Sequence, residues 1–167
     1  MEIRKAALAD VAEIMEIYAG ARRFMVENGN PDQWASRNWP PEELIRENIS
    51  DGSLYVLADD EQDQESIAAV FCMEYGEHAE PCYDEIEGSW LDDSPYAVIH
   101  HIASSAQGRG AGRRCLDWAY EKYGHVRLDT HEDNKVMQAL VTKNGFSYRG
   151  IVYIGDGKLK RLAYEKC

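Results

Sequence analysis

The sequence predicts a mixed α/β fold. Three observations carry that prediction: the order of strand-like and helix-like segments, a helical spacing of apolar residues near the N-terminus, and two closing strand-like runs around a D-G turn. In order, the segments read as strand, two helices, hairpin plus strand, helix, strand, helix and hairpin, which makes seven strands. The 167 residues suit one domain with a sizeable core, and no repeat or low-complexity linker divides them, so residues 1–167 are expected to form a single domain.

Each element has its own signal. "EIRKA" reads as a first strand. Leu8, Val11, Ile14, Met15, Tyr18, Ala21 and Met25 recur at helical spacing, and "NGNPDQW" (28–34) ends that helix with turn residues. "PPEELIRENIS" (40–50) opens a second helix with proline and places acids in its first turn. "SLYVLAD" and "IAAVFCMEY" flank the polar "DEQDQES" and predict a hairpin. Residues 76–95 read as a long acidic loop. "YAVIHHIA" (96–103) reads as a buried strand, followed by a glycine-rich connection and a helix carrying Ala111, Cys115, Trp118 and Ala119. "VRLDT" is a strand, and "NKVMQALVTKN" is a helix that stops at Gly145. "FSYRGIVYI" and "KLKRLAYE" close the fold around "GDG".

Composition excludes several function classes. Hydrophobic content of 44% and charged content of 29% describe a soluble globular chain. A net charge of −12 argues against a nucleic-acid partner, which needs a basic face. The N-terminus lacks a basic-then-apolar leader and no apolar run approaches a membrane span, so a cytoplasmic protein with no membrane partner is expected. The four cysteines form no CxxC and no ligand-like spacing with histidine; free thiols and no metal are expected. Charge is unevenly spread. Asp59 to Asp93 holds thirteen acids and no Lys or Arg, whereas Gln107 to the C-terminus holds twelve basic residues against seven acids. That pattern reads either as ordinary solubility or as a basic half for an anionic cofactor and an acidic half for a cationic substrate.

The stretch "ASSAQGRGAGRRC" (103–115) has three phosphate-binding readings. A P-loop needs Lys-Ser/Thr after its last glycine and is excluded. A dinucleotide fingerprint GxGxxG fits Gly108 and Gly110 but meets Arg113 in place of the third glycine. Asp129 ends the next strand as a ribose-binding acid would, yet only 38 residues follow it, too few for the second half of such a sheet. The third reading is Gln107-x-x-Gly110-x-Gly112, joining a strand directly to a helix. Glycine lets the chain turn tightly and aim successive amides at one point, and the helix adds its own unpaired amides. Arg109 and Arg113 add charge at the rim.

That signature, followed by Asn134 opening a helix that ends in Asn144-Gly145-Phe146, resembles the GNAT superfamily of acetyl-CoA-dependent N-acetyltransferases. The resemblance is specific over about residues 96–154 and implies a mostly antiparallel sheet of about seven strands. Helices would cover both faces, and a parallel pair would splay at the cofactor site. It implies acetyl transfer from acetyl-CoA to a primary amine of a small molecule or amino acid, within a ternary complex. Ile102 and Ala103 would pair with the pantetheine arm, and the amides of Gln107, Gly108, Arg109, Gly110, Ala111 and Gly112 would hold the diphosphate. Asn134 would contact the arm near the thioester, a role compatible with capping its helix.

The chemistry needs a proton acceptor, because an alkylammonium has a pKa of about 10.4 and attacks only when unprotonated. Strand parity, read with the family's pattern, selects Tyr96, Val98 and His100 and leaves His101 toward the helices. His100 is therefore the expected base or water relay, the alternative being a satisfied core histidine. The family's tyrosine seven residues after the helix-opening Asn is Val141 here, which leaves His131 and Tyr153 as loose candidates for the acid, or an unassisted thiolate. In the family the acceptor side is built by two loops, here "NPDQW" and residues 76–95, and the resemblance implies that Trp34, Tyr75 and Glu85 would frame the amine. A catalytically weak acyl-CoA-binding or sensing module is the alternative function, with a dinucleotide oxidoreductase more remote. The closing hairpin offers an edge for pairing with a second copy.

Overall fold

The computed structural model describes residues 1–59, 66–106 and 108–167. The expected hairpin tip at 60–65 and Gln107 lie outside the described residues. The helices are α1 (Val11–Glu27), α2 (Glu42–Ser50), α3 (Ala111–Tyr123) and α4 (Lys135–Lys143). The strands are β1 (Glu2–Lys5), β2 (Leu54–Asp59), β3 (Ser66–Gly76), β4 (Glu87–Gly88), β5 (Tyr96–Ser104), β6 (Val126–Thr130), β7 (Ser147–Ile154) and β8 (Leu159–Lys166). Their hydrogen-bonded order is β1-β2-β3-β5-β6-β8-β7-β4, a mixed and mostly antiparallel sheet with one parallel pair, β5–β6.

Among the described residues there are thus eight strands where the sequence suggests seven. The additional one, β4, is two residues long and lies in the segment read as a loop, which also holds a 3-10 turn at Pro81–Asp84. Too short to show a period, β4 has no sequence signal of its own. It pairs Glu87 with Ile151 and Gly88 with Gly150, along two residues of β7. The turn of that hairpin spans Gly155–Lys158, with Lys158 N–H donating to Gly155 C=O at 3.0 Å, and is longer than a two-residue D-G turn.

The chain divides into two compact units, one of residues 1–73 and 101–115, the other of residues 74–100 and 116–167. β3, β5 and α3 each run from one into the other. In the first unit, Ile14, Ile17 and Tyr18 of α1 and Ile45 of α2 share a core with Leu54, Val56, Ile67, Val70, Cys72 and Ala103. Ile14, Ile45 and Leu54 are fully buried, and each contributes roughly 1.5–3 kcal/mol. Asp10 fixes the turn before α1, accepting from Ala7 N–H at 2.7 Å and from both terminal nitrogens of Arg4. Pro41 is the N-cap of α2, and Glu42 and Glu43 lie in its first turn beside the positive end of its dipole.

In the second unit, Tyr83, Tyr96, Val98, Val152 and Ala163 form the core. Beside it lies a buried charged cluster. Glu165, fully buried, accepts from His125 Nε2 at 2.8 Å, from Arg127 Nε at 3.0 Å and from Leu91 N–H. The Arg127 guanidinium sits 4.2 Å from the Trp90 ring centre and 4.1 Å from that of Tyr96. These contacts tie residues 90–92 of the acidic segment to β6 and β8.

Candidate active site

The parallel β5–β6 ladder is short. It pairs Ala97 with Val126, Val98 with Arg127 and Ile99 with Leu128. β5 then runs on to Ser104 and β6 to Thr130, so each strand continues past its last rung. His100 and Asp129 are the next residues along.

In the second unit these two carry a polar cluster. His100 Nε2 lies 3.1 Å from Glu80 Oε2, and both side chains are about one-fifth exposed (19% and 21%). Asp129 accepts from the Tyr83 hydroxyl at 2.7 Å and lies 3.8 Å from Arg161 Nε. The Tyr83 ring centre is 6.3 Å from that of His100. Glu80 and Tyr83 come from one short segment. Glu80 is the N-cap of the Pro81–Asp84 turn, accepting from Cys82 N–H at 3.0 Å, and Tyr83 lies inside the turn.

Electrostatics follow from this packing. Burial disfavours charge on His100, but the Glu80 hydrogen bond and the charges of Asp129, Glu80 and Glu74 outweigh it and raise its pKa above the ordinary 6.5. The same hydrogen bond brings Glu80 down to about 2 from an ordinary 4.5. Asp129 moves the other way. Its burial raises it, against the pull of His100, Tyr83 and Arg161. The carboxylates around His100 thus favour its imidazolium form over the neutral base.

His101 has a separate environment in the first unit. Its φ of +53° breaks the regular course of β5. Its carbonyl accepts from Tyr18 OH at 2.8 Å, and Trp39 Nε1–H donates to its Nε2 at 3.1 Å. An indole nitrogen only donates, so that ring nitrogen bears no proton. The ring faces Trp34 and Trp39 on the connection between α1 and α2.

The glycine connection, also in the first unit, is built by three backbone bonds. Ser105 N–H donates to Ala68 C=O at 2.9 Å, Gly108 N–H to Ser105 C=O at 3.0 Å, and Ala111 N–H to Gly108 C=O at 3.0 Å. A Cβ on Gly108 would stand 2.3 Å from the Ala68 oxygen, so only glycine fits that close approach. Gly110 has φ +74° with open space around the missing Cβ. The first bond of α3 runs from Arg114 N–H to Gly110 C=O. One expectation needs correction. The Gly108 and Ala111 amides do not point outward for a diphosphate but close the turn itself. Arg109 and Gly110 lie in the turn that leads into α3, and Gly112 lies in the first turn of that helix. Open space at Gly110, the N-terminus of α3 and exposed Arg109 suit a diphosphate.

The other expected site residues fall in varied places. Ile102 is half-buried on β5, and Ala103 packs its side chain into the first unit's core. Asn134 caps α4, its Oδ1 accepting from Met137 N–H at 3.0 Å. Val141 is fully buried. Trp34 is a core residue, buried and edge-on to Tyr18 at 5.8 Å, so it presents no open face to an amine. Tyr75 stacks on Tyr123 at 4.6 Å. Glu85 is exposed at the end of the 3-10 turn. Tyr153 donates to Glu87 Oε1 at 3.0 Å. Its neighbour Val152 packs with Tyr83, Tyr96 and Val98, so alternation puts Tyr153 on the face of β7 away from His100. Glu80 and Tyr83 carry no role in the sequence reading, although "EP" opening a helical turn marks the segment. A groove of about 410 Å³, lined by Ala19, Arg22, Arg23, Val26, Glu27 and Ala35, holds none of the expected site residues. Among the described residues no cluster of metal-ligating side chains occurs, and no helix is long and apolar enough to cross a membrane.

Comparison with known proteins adds to this geometry. A crystal structure of a GNAT-family acetyltransferase from Streptococcus agalactiae is 34% identical, with a TM-score of 0.85 over 99% of this chain and 94% of that one. An acetyltransferase structure from Staphylococcus aureus is 22% identical with a TM-score of 0.68, over 99% of this chain and 98% of that one. The NatB acetyltransferase complex bound to CoA and MES shares the fold at 12% identity, with a TM-score of 0.61 over 99% of this chain and 98% of that one. A comparison with curated proteins gives no match. The model of the acetyltransferase (GNAT) family matches residues 11–146, and with the fold above it shows that the chain belongs to that family.

Proposed function

We propose that this protein transfers an acetyl group from acetyl-CoA to a primary amine of a small molecule or amino acid, by direct attack in a ternary complex. The observation that carries the reading is the turn between β5 and α3, where Gly108 is forced by the Ala68 carbonyl and Gly110 is left-handed beside open space. When bound, acetyl-CoA supplies the reactive acyl carbon. The amides of Arg109, Gly110 and Gly112 hold its diphosphate, with Arg109 and Arg113 as counter-charge. Ile102, Ala103 and Asn134 contact the pantetheine arm.

His100 handles the proton. With Nε2–H donating to Glu80, Nδ1 is the accepting nitrogen of the neutral ring. As the N–C bond forms and the C–S bond breaks, Nδ1 takes the amine proton and returns it to the departing thiolate. No tyrosine is then needed where Val141 lies buried. The raised pKa requires activity to climb with pH past the ordinary histidine range. The experiment is a panel of amines with acetyl-CoA and detection of released thiol, beside calorimetry with acetyl-CoA. Turnover on an amine supports the reading. Tight binding with no turnover on any amine replaces it with an acyl-CoA-sensing module.

A further inference from the structure

We propose that Tyr83 is a positioning residue for proton transfer at His100 and acts through Asp129. The inference rests on His100 being the proton carrier proposed above. Asp129 and His100 each follow the last rung of the β5–β6 ladder, Ile99 with Leu128. Tyr83 is fully buried, and its hydroxyl donates to Asp129 at 2.7 Å. Trp90 Nε1–H donates to the Tyr83 carbonyl at 2.9 Å, and the Trp90 ring rests on Arg127. The 3-10 turn is thereby held at both ends, by Glu80 on His100 and by Tyr83 on Asp129.

The groups facing His100 are Glu80 from the turn, Glu74 from β3 and Asp129 from β6. Those facing Asp129 are Tyr83 and Glu80 from the turn, Arg161 from β8 and His100 itself, with Cys82 nearby. Burial alone favours a protonated Asp129. The Tyr83 hydroxyl and the cations oppose this by stabilising the carboxylate, and the carboxylate in turn stabilises the imidazolium. Removing the hydroxyl lets Asp129 take a proton, and His100 then loses one of its anionic neighbours.

The test is the NMR titration of His100 in the whole protein, in wild type, Tyr83→Phe, Asp129→Asn and the double variant. Asp129→Asn is expected to lower the His100 midpoint by about one pH unit. Tyr83→Phe is expected to lower it by less, and to add nothing in the Asp129→Asn background. An equal shift from Tyr83→Phe in both backgrounds, or none in either, overturns the proposal. If Tyr83→Phe does not fold, an unchanged midpoint in Asp129→Asn overturns it alone. Turnover against pH on a reactive amine is read alongside, with the rising limb expected to move with the NMR midpoint and KM to stay near wild type. Absent turnover sinks the enzymatic reading, whereas an unmoved titration sinks only the role of Tyr83.

Discussion

Glu80 joins two tasks in one carboxylate. It accepts from His100 Nε2 at 3.1 Å and caps the turn at Cys82 at 3.0 Å. The pair gives stability a defined pH window. Glu80, lowered to about 2 from 4.5, contributes fully above its unfolded value and loses that contribution as pH falls through about 2. His100, raised above 6.5, contributes fully below 6.5 and loses it as pH climbs through the raised value. The stability lost in Glu80→Gln is therefore expected to be largest between about pH 4.5 and 6.5. Urea denaturation of both proteins across pH measures it, and a pH-independent difference would falsify the pairing.

The glycine turn predicts two different failures. Gly108→Ala drives a methyl against the Ala68 oxygen and is expected to cost about 1–3 kcal/mol in urea unfolding. Gly110→Asp meets open space but must hold φ +74°, so it carries backbone strain and no crowding. Its carboxylate enters the proposed anion site, and acetyl-CoA binding by calorimetry should weaken at least about tenfold. Unchanged affinity would remove the diphosphate from this loop.

His100→Ala is expected to lower kcat by about 10²–10⁴ while leaving the acetyl-CoA Kd near wild type. Steady-state kinetics on the best amine of the panel checks the first part and calorimetry the second. Equal kcat at every pH would make His100 structural.

Glu165→Gln leaves Arg127 and His125 buried with a neutral partner. Breaking a buried ion pair costs about 3–5 kcal/mol, so a drop of that order is expected in urea unfolding. Faster hydrogen exchange at Leu91, whose amide donates to Glu165, should accompany it. Slow exchange at Leu91 in the variant would show that another group holds the segment.

The sequence made the order of elements legible because each long one has a clear period. The buried Ile14, Ile17 and Tyr18 of α1 and the alternation of Tyr96, Val98 and His100 on β5 are local patterns. So is the glycine stop after α4, where Gly145 has φ +82°. What stayed hidden depends on distant residues meeting. The acidic segment offers several carboxylates of similar local chemistry, and nothing local marks Glu80 rather than Glu85 as the partner of His100. Trp34 sits among turn residues and reads as a loop side chain, but the tertiary core claims it. The length of the β5–β6 ladder is likewise a property of two strands together.

The backbone of His101 separates two identical side chains. A left-handed residue without glycine costs roughly 1–2 kcal/mol, offset here by bonds from Tyr18 and Trp39. One imidazole of the dipeptide then meets anions and the other an indole N–H. An imidazole-selective acylating reagent should therefore tell neighbours in the chain apart, and exchanging Trp39 for phenylalanine should blur that distinction by removing the donor from His101 Nε2.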